Sequence, residues 1–185
     1  MPRLRTLAPA LAAIGLAAAA PAALQVGAPA PNIATQASMA GKPFAFSLHD
    51  ALKKGPVVLY FYPAAFTPGC TVEAHAFADA TDDFRKMGAT VIGMSADPIE
   101  KLNQFSTSEC RSKFAVGTAT PATITAYDVV LPVKPTISNR TSYVIAPDGK
   151  VIFVHSAMSP EGHVTGTMDA VKAWKAAHPK WRARA

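Results

Sequence analysis

The chain has 185 residues, half of them apolar and 16% charged, with a formal net charge of +6. This composition supports a buried core in one domain of ordinary size and excludes a disordered chain. The mild positive charge needs no nucleic-acid partner to explain it.

The first element is a leader. Arg3 and Arg5 precede an uncharged apolar stretch from Leu7 to Ala20, and small residues crowd Ala17 to Ala23. With an Ala-Pro-Ala exit at Ala20, Pro21 and Ala22, this is the pattern of a secretory signal peptide over residues 1–23. The run falls short of the roughly 20 residues of a spanning helix; an uncleaved anchor is the alternative. The expected product is an exported domain of residues 24–185, periplasmic in a Gram-negative host, with no stable membrane association after cleavage. With Arg3 and Arg5 removed, the formal net charge falls from +6 to about +4. The tail around Lys180, Trp181 and Arg182 reads as a solvated terminus.

Residues Gln25 to Pro31 read as an extended lead-in, Phe44 to Leu48 as a short strand, and Lys53-Lys54-Gly55-Pro56 as a turn. Val57 to Tyr62 is an unbroken apolar and aromatic run between prolines, the pattern of a central strand buried on both faces. After Cys70 the period changes. Ala74, Phe77, Ala78, Phe84 and Met87 share roughly one helical face, and Gly88 stops the helix. Ala89 to Ser95 is the next strand. A helix from Pro98 to about Cys110 follows, with Asp97 as its cap. Phe114 to Val116 suggests a short strand and Ala122 to Tyr127 a short helix. Thr141 to Ala146 and Lys150 to Val154 flank Pro147-Asp148-Gly149 as a β-hairpin. Val164, Met168, Val171 and Trp174 mark a final helix. The order predicts an α/β domain with a mixed central β-sheet and helices on both faces. This is the thioredoxin-like fold, one of the α/β arrangements the pattern allows.

Chemistry concentrates in Pro63-Ala64-Ala65-Phe66-Thr67-Pro68-Gly69-Cys70-Thr71, between a buried strand and a helix start. A cysteine in a first helical turn faces unpaired backbone N–H groups and the positive end of the helix dipole, which favour thiolate over thiol. Thr67 adds a hydroxyl one turn earlier. Two prolines stiffen the loop. The second cysteine, Cys110, lies 40 residues further on. In an oxidising compartment a purely structural disulfide between the two would contribute about 4 kcal/mol.

Pro63, Thr67 and Cys70 have the spacing of the peroxiredoxin active-site motif, and Thr-Pro-Gly-Cys-Thr with Glu73 resembles the bacterioferritin-comigratory, or Q-type, branch of that family. The resemblance covers approximately Ala28 to Ala177. It implies a thiol peroxidase in which the Cys70 thiolate attacks a hydroperoxide and becomes a sulfenic acid. Thr67 and the Cys70 backbone N–H would hold the peroxide oxygens, Pro63 would shield the sulfur, and Glu73 would orient its neighbours. Arg140, just before the late strand, resembles the family's arginine and would approach the sulfur. No metal, haem, flavin or other cofactor is implied.

The chain departs from the Q-type pattern five residues after Cys70, where many relatives carry a resolving cysteine and this chain carries His75. Cys110, late in the next helix, is then the candidate resolving residue. A one-cysteine enzyme and a structural Cys110 are the alternatives. The implied reductant is a thioredoxin-like or other thiol carrier, and the implied assembly a monomer or homodimer. Two competing readings are a thioredoxin-like thiol-disulfide oxidoreductase, which wants a cysteine where Thr67 stands, and a metal-binding module. Residues five apart on a helix diverge by about 140°, so Cys70 and His75 do not share a face. His49, His155, His163 and His178 read as surface residues.

Overall fold

The computed structural model describes residues 23–183. Except for Ala23, the expected leader lies outside the described residues. A seven-stranded sheet runs in the order β2-β1-β5-β4-β3-β6-β7. Its strands are β1 (Ala34–Met39), β2 (Lys42–Ser47), β3 (Val57–Phe61), β4 (Thr90–Ser95), β5 (Ala115–Thr118), β6 (Thr141–Ile145) and β7 (Val151–Ser156). Strands β3, β4 and β5 are parallel neighbours, and the remaining pairs are antiparallel. Five helices accompany the sheet among the described residues: α1 (Leu48–Lys54), α2 (Pro68–Lys86), α3 (Ile99–Ser108), α4 (Pro121–Ala126) and α5 (His163–Ala177). This is the thioredoxin-like, mixed-sheet arrangement expected from the element order.

The side-chain alternation of β3 divides the interior. Val57, Leu59 and Phe61 enter one core with Leu48 and Leu52 of α1 and Ile124 of α4. Val58 and Tyr60 enter the other with Ala74, Phe77 and Phe84 of α2, Leu102 and Phe105 of α3, and Val171 of α5. A strand covered on both faces has no polar side to alternate, so Val57–Phe61 is apolar throughout and fully buried. The apolar face of α2 binds the helix to that sheet face and directs its first turn to the carboxyl end of β3.

Two elements differ from the sequence expectation. β1 is built from Ala, Thr, Gln, Ala, Ser and Met, few of which favour strands, and is held by pairing with β2 and β5. α1 takes in Leu48, expected at the end of a strand, and Lys53 and Lys54, expected in a turn. Ser47 caps it by accepting from the Asp50 amide at 3.2 Å, and Gly55 ends it. Asp97 is not the cap of α3: Pro98 takes the N-cap position, and the Asp97 carboxylate serves another purpose described below. Among the described residues no helix is long and apolar enough to cross a membrane.

Candidate active site

The loop from Tyr62 to Thr67 joins β3 to α2. Thr67 is the N-cap residue, and Pro68 fills the first helical position, where no amide hydrogen is needed. The first helical bond runs from the Thr71 amide to the Thr67 carbonyl at 2.9 Å. The amides of Gly69 and Cys70 therefore have no acceptor within the helix and lie in its positive end. The Thr67 hydroxyl donates to the Ala64 carbonyl at 2.9 Å and keeps its oxygen lone pairs free to accept. Phe66 has a φ of 66°, unusual for a residue with a side chain, and its exposed ring packs edge-on against Phe105 at 5.2 Å.

The loop is pinned from below by Asp97. Its carboxylate accepts from the Ala65 amide at 2.7 Å and from the Ser95 hydroxyl at 2.8 Å, and pairs with Lys101 at 2.7 Å. The Ser138 hydroxyl donates to the Tyr62 carbonyl at 3.0 Å and ties in the segment that carries Arg140.

Arg140 stands immediately before β6, the antiparallel neighbour of β3, and so arrives beside the end of the strand that leads to Cys70. Its three nitrogens have three different partners. Nε donates to the Met158 carbonyl at 2.9 Å, Nη1 pairs with Glu73 Oε2, and Nη2 donates to the Cys70 sulfur at 3.4 Å. Cys70 keeps 2% of its surface exposed and Arg140 4%. Gly69 makes room for this approach, since a Cβ there would lie 3.0 Å from Nη2.

The expected cluster of Cys70, Thr67, Glu73, Arg140 and Pro63 is thus gathered at one helix end. Pro63 is half-buried at the start of the loop. Glu73 is fully buried and faces Arg140. Burial pushes its carboxyl up to about 8, against the lowering pull of Arg140. Cys110 follows α3, fully buried in the same core as Cys70. Burial pushes its thiol upward, and both cysteines are free thiols.

One expectation is corrected. His163 is not a surface residue but is wholly buried at the start of α5. Its Nε2 lies 3.0 Å from the Ala157 carbonyl, its Nδ1 2.8 Å from the Ser142 hydroxyl and 3.5 Å from Glu73 Oε1. Burial lowers its imidazole to about 4. His155 is half-buried, edge-on to His163 at 4.5 Å, whereas His49 and His178 are exposed. The sequence carried one signal for the buried partnership, a polar Ser142 entering a strand that is otherwise apolar after Thr141. Nothing local marked Asp97 or His163 as part of the site. Among the described residues no group of three His, Cys, Asp or Glu side chains is arranged to hold a metal ion.

Comparison with known proteins agrees with the geometry. The AhpC/TSA family model matches residues 26–154. A Mycobacterium tuberculosis protein named as a peroxiredoxin is 35% identical over 131 residues, covering 66% of this chain and 81% of that protein. The chloroplast peroxiredoxin Q of Sedum lineare is 33% identical over 145 residues, covering 73% and 72% of the two chains. The crystal structure of the peroxidoxin BcpB from Mycobacterium tuberculosis superposes with a TM-score of 0.71 at 32% identity, covering 81% of this chain and 97% of that one. The chain belongs to the AhpC/TSA family and is a peroxiredoxin.

Proposed function

We propose that Cys70 is the peroxidatic residue of a thiol-dependent peroxidase that reduces hydrogen peroxide and organic hydroperoxides. The thiolate attacks the terminal oxygen of ROOH, a sulfur–oxygen bond forms and the O–O bond breaks. The leaving oxygen takes a proton and departs as ROH, leaving Cys70 as a sulfenic acid. Arg140 Nη2 and the free amides of Gly69 and Cys70 donate to the oxygens on which negative charge develops. The Thr67 oxygen, its own proton engaged by Ala64, accepts from the hydroperoxide O–H. Pro63 shields the sulfur, and Glu73 orients Arg140. The reaction as written needs no metal, haem or flavin. The observation that carries this reading is the 3.4 Å contact between the Arg140 guanidinium and a cysteine sulfur in the first turn of a helix.

In the second half-reaction the Cys110 sulfur attacks the sulfenic sulfur, water leaves, and a disulfide forms for a thioredoxin-type or other thiol reductant to reduce. Disulfide formation needs Cα atoms within about 7 Å of each other. Where the folded chain holds the two buried cysteines further apart than this, local opening at the end of α3 precedes the step. Export to the periplasm, with the leader removed, and a monomeric or dimeric state complete the proposal.

The test is peroxide consumption by the reduced chain with dithiothreitol. Rapid turnover is expected, and Cys70→Ser should abolish it. Turnover surviving that substitution would remove the peroxidatic assignment. Mass spectrometry after one equivalent of peroxide should find a Cys70–Cys110 disulfide. An external-thiol adduct or a sulfinic acid on Cys70, with Cys110 still reduced, would remove the resolving role.

A further inference from the structure

Arg140 holds Cys70 on one terminal nitrogen and Glu73 Oε2 on the other. The second carboxyl oxygen, Glu73 Oε1, is buried and has no hydrogen-bond partner among the described residues. A buried polar oxygen without a donor demands an explanation. His163 Nδ1 lies 3.5 Å from it.

The ring's other nitrogen fixes the tautomer. Nε2 is 3.0 Å from the Ala157 carbonyl, which can only accept, so Nε2 carries the hydrogen. Nδ1 of a neutral ring then presents a single lone pair, which either the Ser142 hydroxyl at 2.8 Å or a proton on Glu73 Oε1 can occupy, the hydroxyl turning to accept in the second case. With Glu73 ionised, two acceptors would face each other in a dry interior. One proton between them removes the conflict. Low polarity favours the neutral combination, carboxylic acid with imidazole, over carboxylate with imidazolium. The directions found for the two groups, Glu73 raised and His163 lowered, agree. The other titratable or charged groups facing His163 are Arg140, ahead of β6, and His155 on β7. Neither offers it a carboxylate.

We propose that at neutral pH Glu73 is a carboxylic acid whose Oε1 proton is held against His163 Nδ1, which makes His163 a positioning residue of the peroxide site. A neutral Glu73 still accepts from Arg140 through Oε2, and so still orients the guanidinium, but it does not cancel its charge. The full positive charge is left to face Cys70. Ionisation of Glu73, with its proton released to solvent, would turn the same contact into an ion pair and weaken the attraction for an anionic sulfur. The consequence for Cys70 rests on the peroxidatic reading above, whereas the position of the proton does not.

Difference infrared spectroscopy of the reduced full chain at pH 7 locates the proton. A carboxylic-acid C=O band is expected in the wild type, lost in Glu73→Gln and retained in His163→Gln, whose amide supplies both an acceptor and a donor. The rate of alkylation of Cys70 by iodoacetamide, followed on the Cys70 peptide across pH, reads the consequence. Its midpoint should move up by about one pH unit in His163→Phe and return in His163→Gln. Absence of the acid band, or an unchanged alkylation profile in a folded His163→Phe, overturns the proposal. If the Phe variant does not fold, the wild-type band decides alone. A wild type that shows the band but consumes no peroxide would remove the peroxidatic reading and leave the shared proton standing.

Discussion

A methyl group at position 69 would press on Arg140 Nη2 from 3.0 Å, and nothing else lies so close to it. Gly69 is in the first turn of α2, where alanine is the better helix former by up to about 1 kcal/mol. Gly69→Ala is therefore expected to leave the melting temperature unchanged or slightly raised while slowing peroxide reduction about tenfold, because it displaces the donor that meets the developing charge. Parallel thermal melts and turnover measurements separate the two effects. The buried acid and imidazole also set a pH dependence. Glu73 binds its proton more tightly in the folded chain, so its contribution is complete below its unfolded value of about 4.5 and is lost as pH rises through about 8. His163 has the opposite sign, with stability lost as pH falls from 6.5 toward about 4. Between pH 4.5 and 6.5 the two oppose each other. Of these two groups only Glu73 titrates above 6.5, and its decline to pH 8 is worth on the order of 2 kcal/mol. Urea unfolding at a series of pH values should show this decline in the wild type and not in Glu73→Gln. The gathering of Cys70, Thr67 and Arg140 was readable because it is written in a short motif and a strand boundary. His163 was not, because a histidine opening a helix looks like any polar surface residue until β6 and α2 close over it.

Legibility varied among the elements in the same way. β3 and α2 announce themselves through an unbroken apolar run and a clear helical period. β1 was missed because its residues have little intrinsic preference for a strand and acquire one only by pairing on both sides. The segment after α3 is a further case. Arg111 and Ser112 both have positive φ, 49° and 56°, which is costly for residues with side chains. One hydrogen bond and two ion pairs hold that segment against α2: His75 with the Glu109 carboxylate at 2.9 Å, Arg111 to Asp79 at 2.6 Å, and Lys113 to Asp82 at 2.9 Å. The α2 partners fall four and three residues apart and so form one stripe along the helix. Cys110 sits among these contacts. Exposed pairs add little to global stability, but here they restrain a strained turn locally. Asp79→Lys is expected to speed hydrogen exchange at residues 110–113 by several-fold, and to do so with little change in melting temperature. Added salt should mimic the substitution in the wild type. Unchanged exchange would show that the apolar core alone holds this turn.

The described residues form two cores divided by one sheet, and the sequence order was enough to predict that layering. It was not enough to show how early the folded body begins. Ala23 is buried in the first core, and the Leu24 amide donates to the Tyr143 hydroxyl at 3.1 Å. Gly27 and Ala30 donate to the carbonyls of Val151 and Gly149, each at 2.8 Å, and the Val151 amide donates to the Ala28 carbonyl at 2.9 Å. The stretch from Gln25 to Pro31 reads only as an extended lead-in because its bonds go to a hairpin more than a hundred residues away. A chain beginning at Pro31 should be less stable than one beginning at Ala23 by about 2 kcal/mol or more, from the lost hydrogen bonds and the uncovered apolar surface. Denaturant titrations of the two chains check this, and equal midpoints would show that the lead-in only drapes over the surface.

The guanidinium of Arg140 is a three-way junction, with the Met158 carbonyl at its neck, a carboxyl on one prong and the sulfur on the other. Lysine keeps the charge but has a single nitrogen, and cannot answer three partners fixed in three directions. The stretch between β7 and α5, which carries no recognisable signature, thereby gains a say in how the sulfur is met. Because the contact is made by a main-chain carbonyl and the Met158 side chain is exposed, a saturation scan scored on peroxide survival should tolerate most side chains at Met158 and reject proline, which redirects the backbone.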